Sequence, residues 1–409
     1  MPYPHEPASD LFTMKLCWFV PDDRGGGVIN VALSCVRQAR AAGHDAVLLL
    51  MLEPTGSLEG IPGIRTASLG LKKPATQTPP ALMQWLAENP QDVLLLNGGE
   101  EADTIIPYLP ADVRCIYTVH DTAPRYWQTA VAAEADIDGI FPVSHVVAGK
   151  FSRVLKNPDK LQVIYNGSSF PAPPDLGESR PDDLVFFGGG DASKGASDLL
   201  RLWPVLIKLG FTGRLHWLGF MEPAFERKVS QLPQEERILR PGRVRREEGF
   251  AIAARSKVVL MLSRAEAFGM VTIEGMSMGC VPVAWDIETG TKEIVTDETG
   301  FFAPLGNFTE LARKVLQACA EHTRIAPRAS IRAREVFSEE MMWRGYAGFF
   351  ERVMQNPPRV RSLAGRVPPD FVPIRRRFQL LPASVRKTVR DFIGRWPWLG
   401  YVVRDLRGF

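Results

Sequence analysis

The sequence has few cysteines, and their spacing pairs none of them. Cys17, Cys35, Cys115, Cys280 and Cys319 stand far apart and are odd in number. No disulfide framework or cysteine metal site is expected, and the pattern fits a reducing compartment. Long apolar runs are also missing, since no stretch reaches the ~18 apolar residues of a spanning helix. The opening residues, Met1-Pro-Tyr-Pro-His-Glu-Pro7, lack a basic stretch followed by an apolar one, so no secretory leader is expected. These absences predict a cytoplasmic protein. What remains is ordinary for a globular chain: 45% hydrophobic and 23% charged residues over 409 positions, enough for two domains with a core each.

The net charge of +3 conceals an asymmetry. Residues 357–409 carry 12 Lys+Arg against 3 Asp+Glu, and the rest carries 37 against 43. A basic end on a mildly acidic body implies an anionic partner for that end.

Short apolar runs alternate with amphipathic stretches. Met14–Val20, Ala46–Leu52, Asp92–Leu96, Cys115–Val119, Gly139–Val143 and Gln162–Tyr165 read as strands, and Val28–Ala42 as a helix stopped by Gly43. Continuous apolar strands separated by helices indicate a parallel sheet covered on both faces. A proline-rich polar stretch, residues 171–183, marks a boundary, after which the pattern restarts with Leu184–Phe187, Arg214–Leu218, Lys257–Leu262 and Val281–Trp285. The fold class predicted is α/β: two doubly wound Rossmann-like domains facing across a cleft, with a basic C-terminal extension. The first domain is expected over 14–170 and the second over 184–337. A helix over 338–356, capped by Ser338, returns towards the first domain, and a basic amphipathic tail fills 357–409.

Four places carry chemistry. Gly25-Gly26-Gly27 lies between a strand and a helix, where a phosphate can approach the backbone and the helix start, although a plain tight turn reads the same way. His120-Asp121 follows a buried strand, at the end where open α/β sheets bind ligands; Asp121 could equally cap the next segment. Gly188-Gly189-Gly190 with Lys194 repeats the glycine turn, and Lys194 reads either as a diphosphate ligand or as a surface lysine. The richest segment runs from Leu260-Met-Leu-Ser263 to Pro282. Glu266 precedes a helix starting near Phe268-Gly269, and Glu274 lies on that helix. The free N–H groups of Phe268, Gly269, Met270 and Val271 suit a phosphate. Two ionised carboxylates, which only accept hydrogen bonds, suit hydroxyl-bearing groups.

This segment resembles the E-x7-E motif of the retaining family-4 glycosyltransferases, which have the GT-B fold. Gly25–Gly27, His120-Asp121, Val163-Ile-Tyr-Asn166-Gly167 and Pro241-Gly242-Arg243-Val244 resemble further family segments in the family's order, over about residues 14 to 355. The resemblance implies a hexosyl- or glycosyltransferase, retaining and metal-independent, with a nucleotide-diphosphate sugar as donor substrate and no other cofactor. It implies Glu266 on donor-sugar hydroxyls, Glu274 on the ribose, and Lys194 on the diphosphate. Gly269, Met270 and Val271 would serve the sugar or phosphate, Val244 the base loop, Gly26 and Gly27 the phosphate, and His120 the reacting sugar. The acceptor would be a glycan or a lipid-linked sugar, in surface polysaccharide or glycolipid biosynthesis. The chain departs from the family at Gly189, where members carry an arginine for the diphosphate; Arg264, Arg243 and Arg24 are the candidates to compensate. The family's Gly-Gly before its late glutamate is altered too, to Thr289-Gly290-Thr291-Lys292-Glu293. A nucleotide-sugar epimerase on the same fold, or a sugar-binding scaffold without turnover, remain alternative readings.

Val385, Val389, Phe392 and Trp396 recur at helical spacing in the tail, with Arg386, Lys387, Arg390 and Arg395 between them. This suits a helix on an anionic membrane surface, making the protein peripheral on the inner face. Packing of the tail on the acidic body is the competing reading. Nothing resembles a nucleic-acid-binding fold.

Overall fold

The computed structural model of the chain describes residues 13–151, 154–176, 180–372 and Thr388. They form two compact units. The first takes in the described residues up to Pro142, those between Lys150 and Gln162, and those from Trp343 on; the second holds Val143–Gly149 and Val163–Met342.

In the first unit the strands are β1 (Lys15–Val20), β2 (Asp45–Leu52), β3 (Thr66–Leu71), β4 (Val93–Leu96), β5 (Arg114–Val119) and β6 (Gly139–Pro142). They form one parallel sheet in the order β3-β2-β1-β4-β5-β6. β1 and β4 are buried on both faces, as their unbroken apolar runs require. The sheet order reverses between β1 and β4. Ligands of such sheets sit beyond the carboxyl ends of the strands at that switch point.

The second unit repeats the plan with β7 (Leu184–Phe186), β8 (Leu215–Leu218), β9 (Ile238–Gly242), β10 (Val258–Met261), β11 (Val281–Asp286) and β12 (Phe301–Pro304). Their order is β12-β11-β10-β7-β8-β9, all parallel, with the switch point between β7 and β10. One face of this sheet packs on Leu199, Leu202, Trp203 and Leu206 of the helix Ala196–Lys208 and on Leu311 and Val315 of the helix Phe308–Ala320.

Three strands have no apolar run longer than three residues in the sequence to announce them. β3 is half-exposed and contains Gly70, while β9 and β12 end at Pro241-Gly242 and Pro304. All three are edge strands, where one unpaired side tolerates proline and polar residues. In the other direction, Gln162–Tyr165 is not a strand. Leu161 makes only an isolated bridge to Ile140, and the ring of Tyr165 packs between Phe268 and Phe337 instead.

The helix Glu339–Gln355 has its start tied by the Ser338 hydroxyl, which accepts from the Met341 N–H at 3.2 Å. From Trp343 on it belongs to the first unit, where Trp343, Tyr346 and Phe350 surround Trp18 and Phe349 meets Phe141 edge-on at 4.5 Å. The chain that follows is clamped to the same unit. Arg114 donates to the carbonyls of Asn356 and Pro357, and the Arg359 Nε lies 3.0 Å from Asp138. Arg361, 2% exposed, donates to the carbonyls of Pro110, Val113 and Asp136 and to the Asp138 carboxylate at 2.9 Å. Of the helix expected around Val385–Trp396, all but Thr388 lies outside the described residues.

Candidate functional site

In the second unit the two segments with the most chemistry meet at the switch point. β7 feeds the Gly188–Gly190 turn and Lys194, and β10 feeds the loop carrying Glu266 to the helix Met270–Ser277. The Lys194 Nζ lies 2.8 Å from Glu266 Oε2; Lys194 is half-exposed and Glu266 largely covered. A cation and an acceptor-only carboxylate thus stand side by side, beside a helix start whose first N–H groups have no acceptor within the helix.

Packing beneath fixes this loop. Gly290 donates to the Glu266 carbonyl at 2.9 Å, and a Cβ at Gly290 would fall 2.3 Å from the Ala267 carbonyl oxygen, so only glycine permits the approach. Phe268 is 2% exposed, its ring wedged against Tyr165 and Phe337, so it anchors the loop from below. Gly269, at φ +113°, turns the chain into the helix. The buried Oγ1 atoms of Thr272 and Thr291 have no hydrogen-bond partner among the described residues.

Glu274 sits on that helix. Its Oε1 accepts from Arg246 Nη2 at 3.2 Å and from the Ser168 hydroxyl at 3.1 Å. Arg246 also donates to Ser168 Oγ and the Ser169 carbonyl, and its guanidinium lies 4.8 Å from the Phe250 ring centre. A cavity of about 110 Å³ opens here, lined by Val244 and Glu274 together with Phe187 and Arg246. Sequence reading singled out Val244 and Glu274 but missed Arg246 and Ser168. Ser168 had one available signal, its place directly after the Asn166-Gly167 motif.

Glu293, in the altered late-glutamate segment, accepts from the N–H groups of His145 and Val146, both at 2.8 Å, and so caps the short helix His145–Ala148.

The Gly189 departure has a steric cause. A Cβ there would fall 2.4 Å from the Phe220 carbonyl oxygen, and φ is +50°. The turn is laced to the loop after β8: Gly189 N–H donates to Leu218 O at 2.7 Å, Gly190 N–H to Phe220 O at 2.9 Å, and Trp217 Nε1 to Gly189 O at 2.7 Å. Of the arginines that might compensate, Arg264 is committed elsewhere. Its guanidinium makes a two-pronged contact with Asp198 at 2.7 and 3.1 Å, and Asp198 also accepts from Trp285 Nε1.

Gly26, Gly27 and His120 belong to the first unit. Gly26 caps the helix Gly27–Ala41 at φ +116°, and a Cβ there would meet nothing within 4 Å, so its backbone is open to approach. His120 follows β5, beside Asn97 at the end of β4. The Asn97 amide donates to the Phe19 carbonyl at 3.0 Å, which turns its oxygen to His120 Nε2 at 2.9 Å. Nε2 therefore carries the proton and Nδ1 the lone pair. Burial pushes the imidazole down to about 4, so it is neutral at pH 7. Among the described residues no three His, Cys, Asp or Glu side chains gather where they could hold a metal ion. The five cysteines are buried, and burial pushes Cys115, Cys280 and Cys319 up to about 12.

Two parallel sheets of the same strand order, each with a glycine turn at its switch point, make the two-domain α/β architecture of the GT-B glycosyltransferases. Residues 25–168 match the family described as Glycosyltransferase Family 4, and residues 181–321 the one described as Glycosyl transferases group 1. The chain thus carries both glycosyltransferase domains, one after the other, and belongs with these transferases. The GDP-mannose:cellobiosyl-diphosphopolyprenol alpha-mannosyltransferase of Xanthomonas oryzae pv. oryzae is 24% identical over 294 residues, covering 64% of this chain and 75% of the relative. Among solved structures, sucrose-phosphate synthase of Thermosynechococcus elongatus is 17% identical with a TM-score of 0.68, over 83% of this chain and 98% of that one. Anabaena HepE, solved with UDP, is 18% identical at 0.68, over 83% and 100%. TarM is 10% identical at 0.71, over 84% and 100%. At these identities the structures speak for the fold alone.

Proposed function

We propose that the chain is a retaining glycosyltransferase, moving a hexosyl group from a nucleotide-diphosphate sugar to a glycan or lipid-linked acceptor without a metal ion. The observation that carries this reading is the pairing of Lys194 with Glu266 beside the start of the helix Met270–Ser277. Lys194 and the N–H groups of Gly269, Met270 and Val271 would take the diphosphate, where negative charge grows as the donor bond breaks. Glu266 would hold sugar hydroxyls and Glu274 the ribose. Val244 would stand where base joins ribose, Gly26 and Gly27 would approach the phosphate, and the Nδ1 lone pair of neutral His120 would accept from a sugar hydroxyl. In the transfer, the bond from the anomeric carbon to the diphosphate oxygen breaks, both electrons leaving with that oxygen. The acceptor hydroxyl bonds to the same face of the carbon, and its proton passes to the departing oxygen. No enzymic nucleophile is assigned; positioning and stabilisation of the leaving group do the catalysis.

The relative from Xanthomonas is named for a polyprenol-linked acceptor, which favours a lipid-linked acceptor here. It also favours a place in surface polysaccharide or glycolipid assembly, with the basic tail bringing the protein to an anionic membrane on its cytoplasmic side. The test is release of nucleoside diphosphate with and without acceptor. A transferase requires the acceptor, an epimerase converts the donor alone, and a scaffold releases nothing. The anomeric configuration of the product, read by NMR, decides retention.

A further inference from the structure

An open cavity of about 500 Å³ lies at the carboxyl ends of β7, β8 and β9, lined in part by Gly188, Phe220, Glu222, Lys228 and Arg243. By strand order it is on the β8 side of β7, whereas Lys194 and Glu266 meet on the β10 side. We propose that this cavity takes the guanine base of the donor nucleotide. The inference rests on the glycosyltransferase reading of this unit and names its donor base.

Phe220 is the first reason. It is 59% exposed, unusual for so large an apolar side chain, and it is held there. Its carbonyl accepts from Gly190 N–H, and its backbone fills the space that a side chain at Gly189 would need. The turn at Gly189, where the family carries a diphosphate-binding arginine, thus anchors the backbone that presents an aromatic ring at the mouth of a cavity. An exposed ring face suits a stacked base.

The charged wall decides which base. A carboxylate only accepts and a guanidinium only donates. Guanine offers two adjacent donors on one edge, N1–H and the 2-amino group, and two acceptors on the other, O6 and N7. Glu222 matches the first edge and Arg243 the second, the same pairing by which arginine reads guanine in nucleic acids. Uracil has a single N–H between two carbonyls, and adenine turns the N1 lone pair towards a carboxylate. Asp191 also lines the cavity, but its carboxylate accepts from Ser193 N–H at 2.7 Å within its own turn. The cavity adjoins the smaller one at Glu274 along the chain, since Gly188 follows Phe187 and Arg243 precedes Val244. Base and ribose would occupy the two in turn.

Calorimetric titration of the full chain with GDP, IDP, UDP and ADP tests this. GDP is expected to bind tightest. IDP, which lacks the 2-amino group, should bind roughly ten-fold weaker, and Glu222→Ala should erase the difference between GDP and IDP. UDP or ADP binding as tightly as GDP overturns the guanine assignment and leaves the transferase reading intact, as does a GDP-to-IDP ratio unchanged in Glu222→Ala. Failure of every nucleoside diphosphate to bind the wild type overturns both.

Discussion

Lys194 and Glu266, 72 residues apart in sequence, stand 2.8 Å apart. The lysine is half-exposed, so the pair contributes little to folding, ~0–1 kcal/mol as solvated ion pairs do. On the proposed function its value lies in binding: the diphosphate would take the lysine and leave the carboxylate to the sugar. Lys194→Ala should therefore leave the melting temperature nearly unchanged while weakening nucleoside diphosphate binding at least ten-fold, by calorimetry. Unaltered affinity would remove Lys194 from the site.

Glu266→Ala should cost transfer ~10²–10³-fold in kcat, the usual loss for one positioned group at a reacting centre. The discontinuous assay of diphosphate release measures it. Retained wild-type turnover would sink the assignment of the sugar subsite.

Gly189→Arg restores the residue that the family carries at this position, yet it should not restore a diphosphate grip. A side chain there meets the Phe220 carbonyl and a φ of +50°. Overpacking and backbone strain of this kind cost ~1–3 kcal/mol each. Denaturant unfolding should show that loss, with binding of GDP weaker rather than stronger.

The sequence made some of this legible and hid the rest for physical reasons. Glu266, Gly269 and Glu274 lie on one loop and the helix it opens, so their spacing could be read locally. β1, β4, β5, β10 and β11 were equally plain, because burial on both faces forces continuous apolar runs. The edge strands β3, β9 and β12 face less apolar surface and left no such run. Arg246 and Ser168 share a carboxylate but lie 78 residues apart. The reason for Gly189 is a carbonyl at Phe220, visible only once β8 lies beside β7.

Arg264 should behave as a structural residue and not as a donor ligand. Asp198 is 5% exposed at its side chain and relies on that guanidinium. Removing one partner of a buried pair typically costs ~3–5 kcal/mol. Arg264→Ala is expected to lower the melting temperature sharply, and the fraction that remains folded should bind nucleotide normally.

His120 gives stability a pH dependence of known sign. An unfolded imidazole binds its proton below ~6.5, while the folded one, desolvated, holds out to about 4. Unfolding therefore takes up a proton in that window, and the contribution of His120 is lost as pH falls from ~6.5 towards 4. Asp103, pushed up to about 7 by burial, titrates in the opposite sense, so the wild-type curve alone is a mixture. The difference between wild type and His120→Gln isolates the imidazole: it should be largest at pH 7 and shrink below pH 6.

Part of the basic C-terminal stretch serves the first unit. Arg359 and Arg361 share the carboxylate of Asp138, and Arg361 is buried. Residues 373–409 carry nine Lys+Arg against two Asp+Glu. A chain ending at Val372 retains the Asp138 clamp and should lose binding to anionic vesicles. A chain ending at Pro357 should also lose stability, because Asp138 is left buried without its two guanidinium partners. Equal vesicle binding by the full chain and the chain ending at Val372 would end the membrane proposal, whatever the shorter chain does.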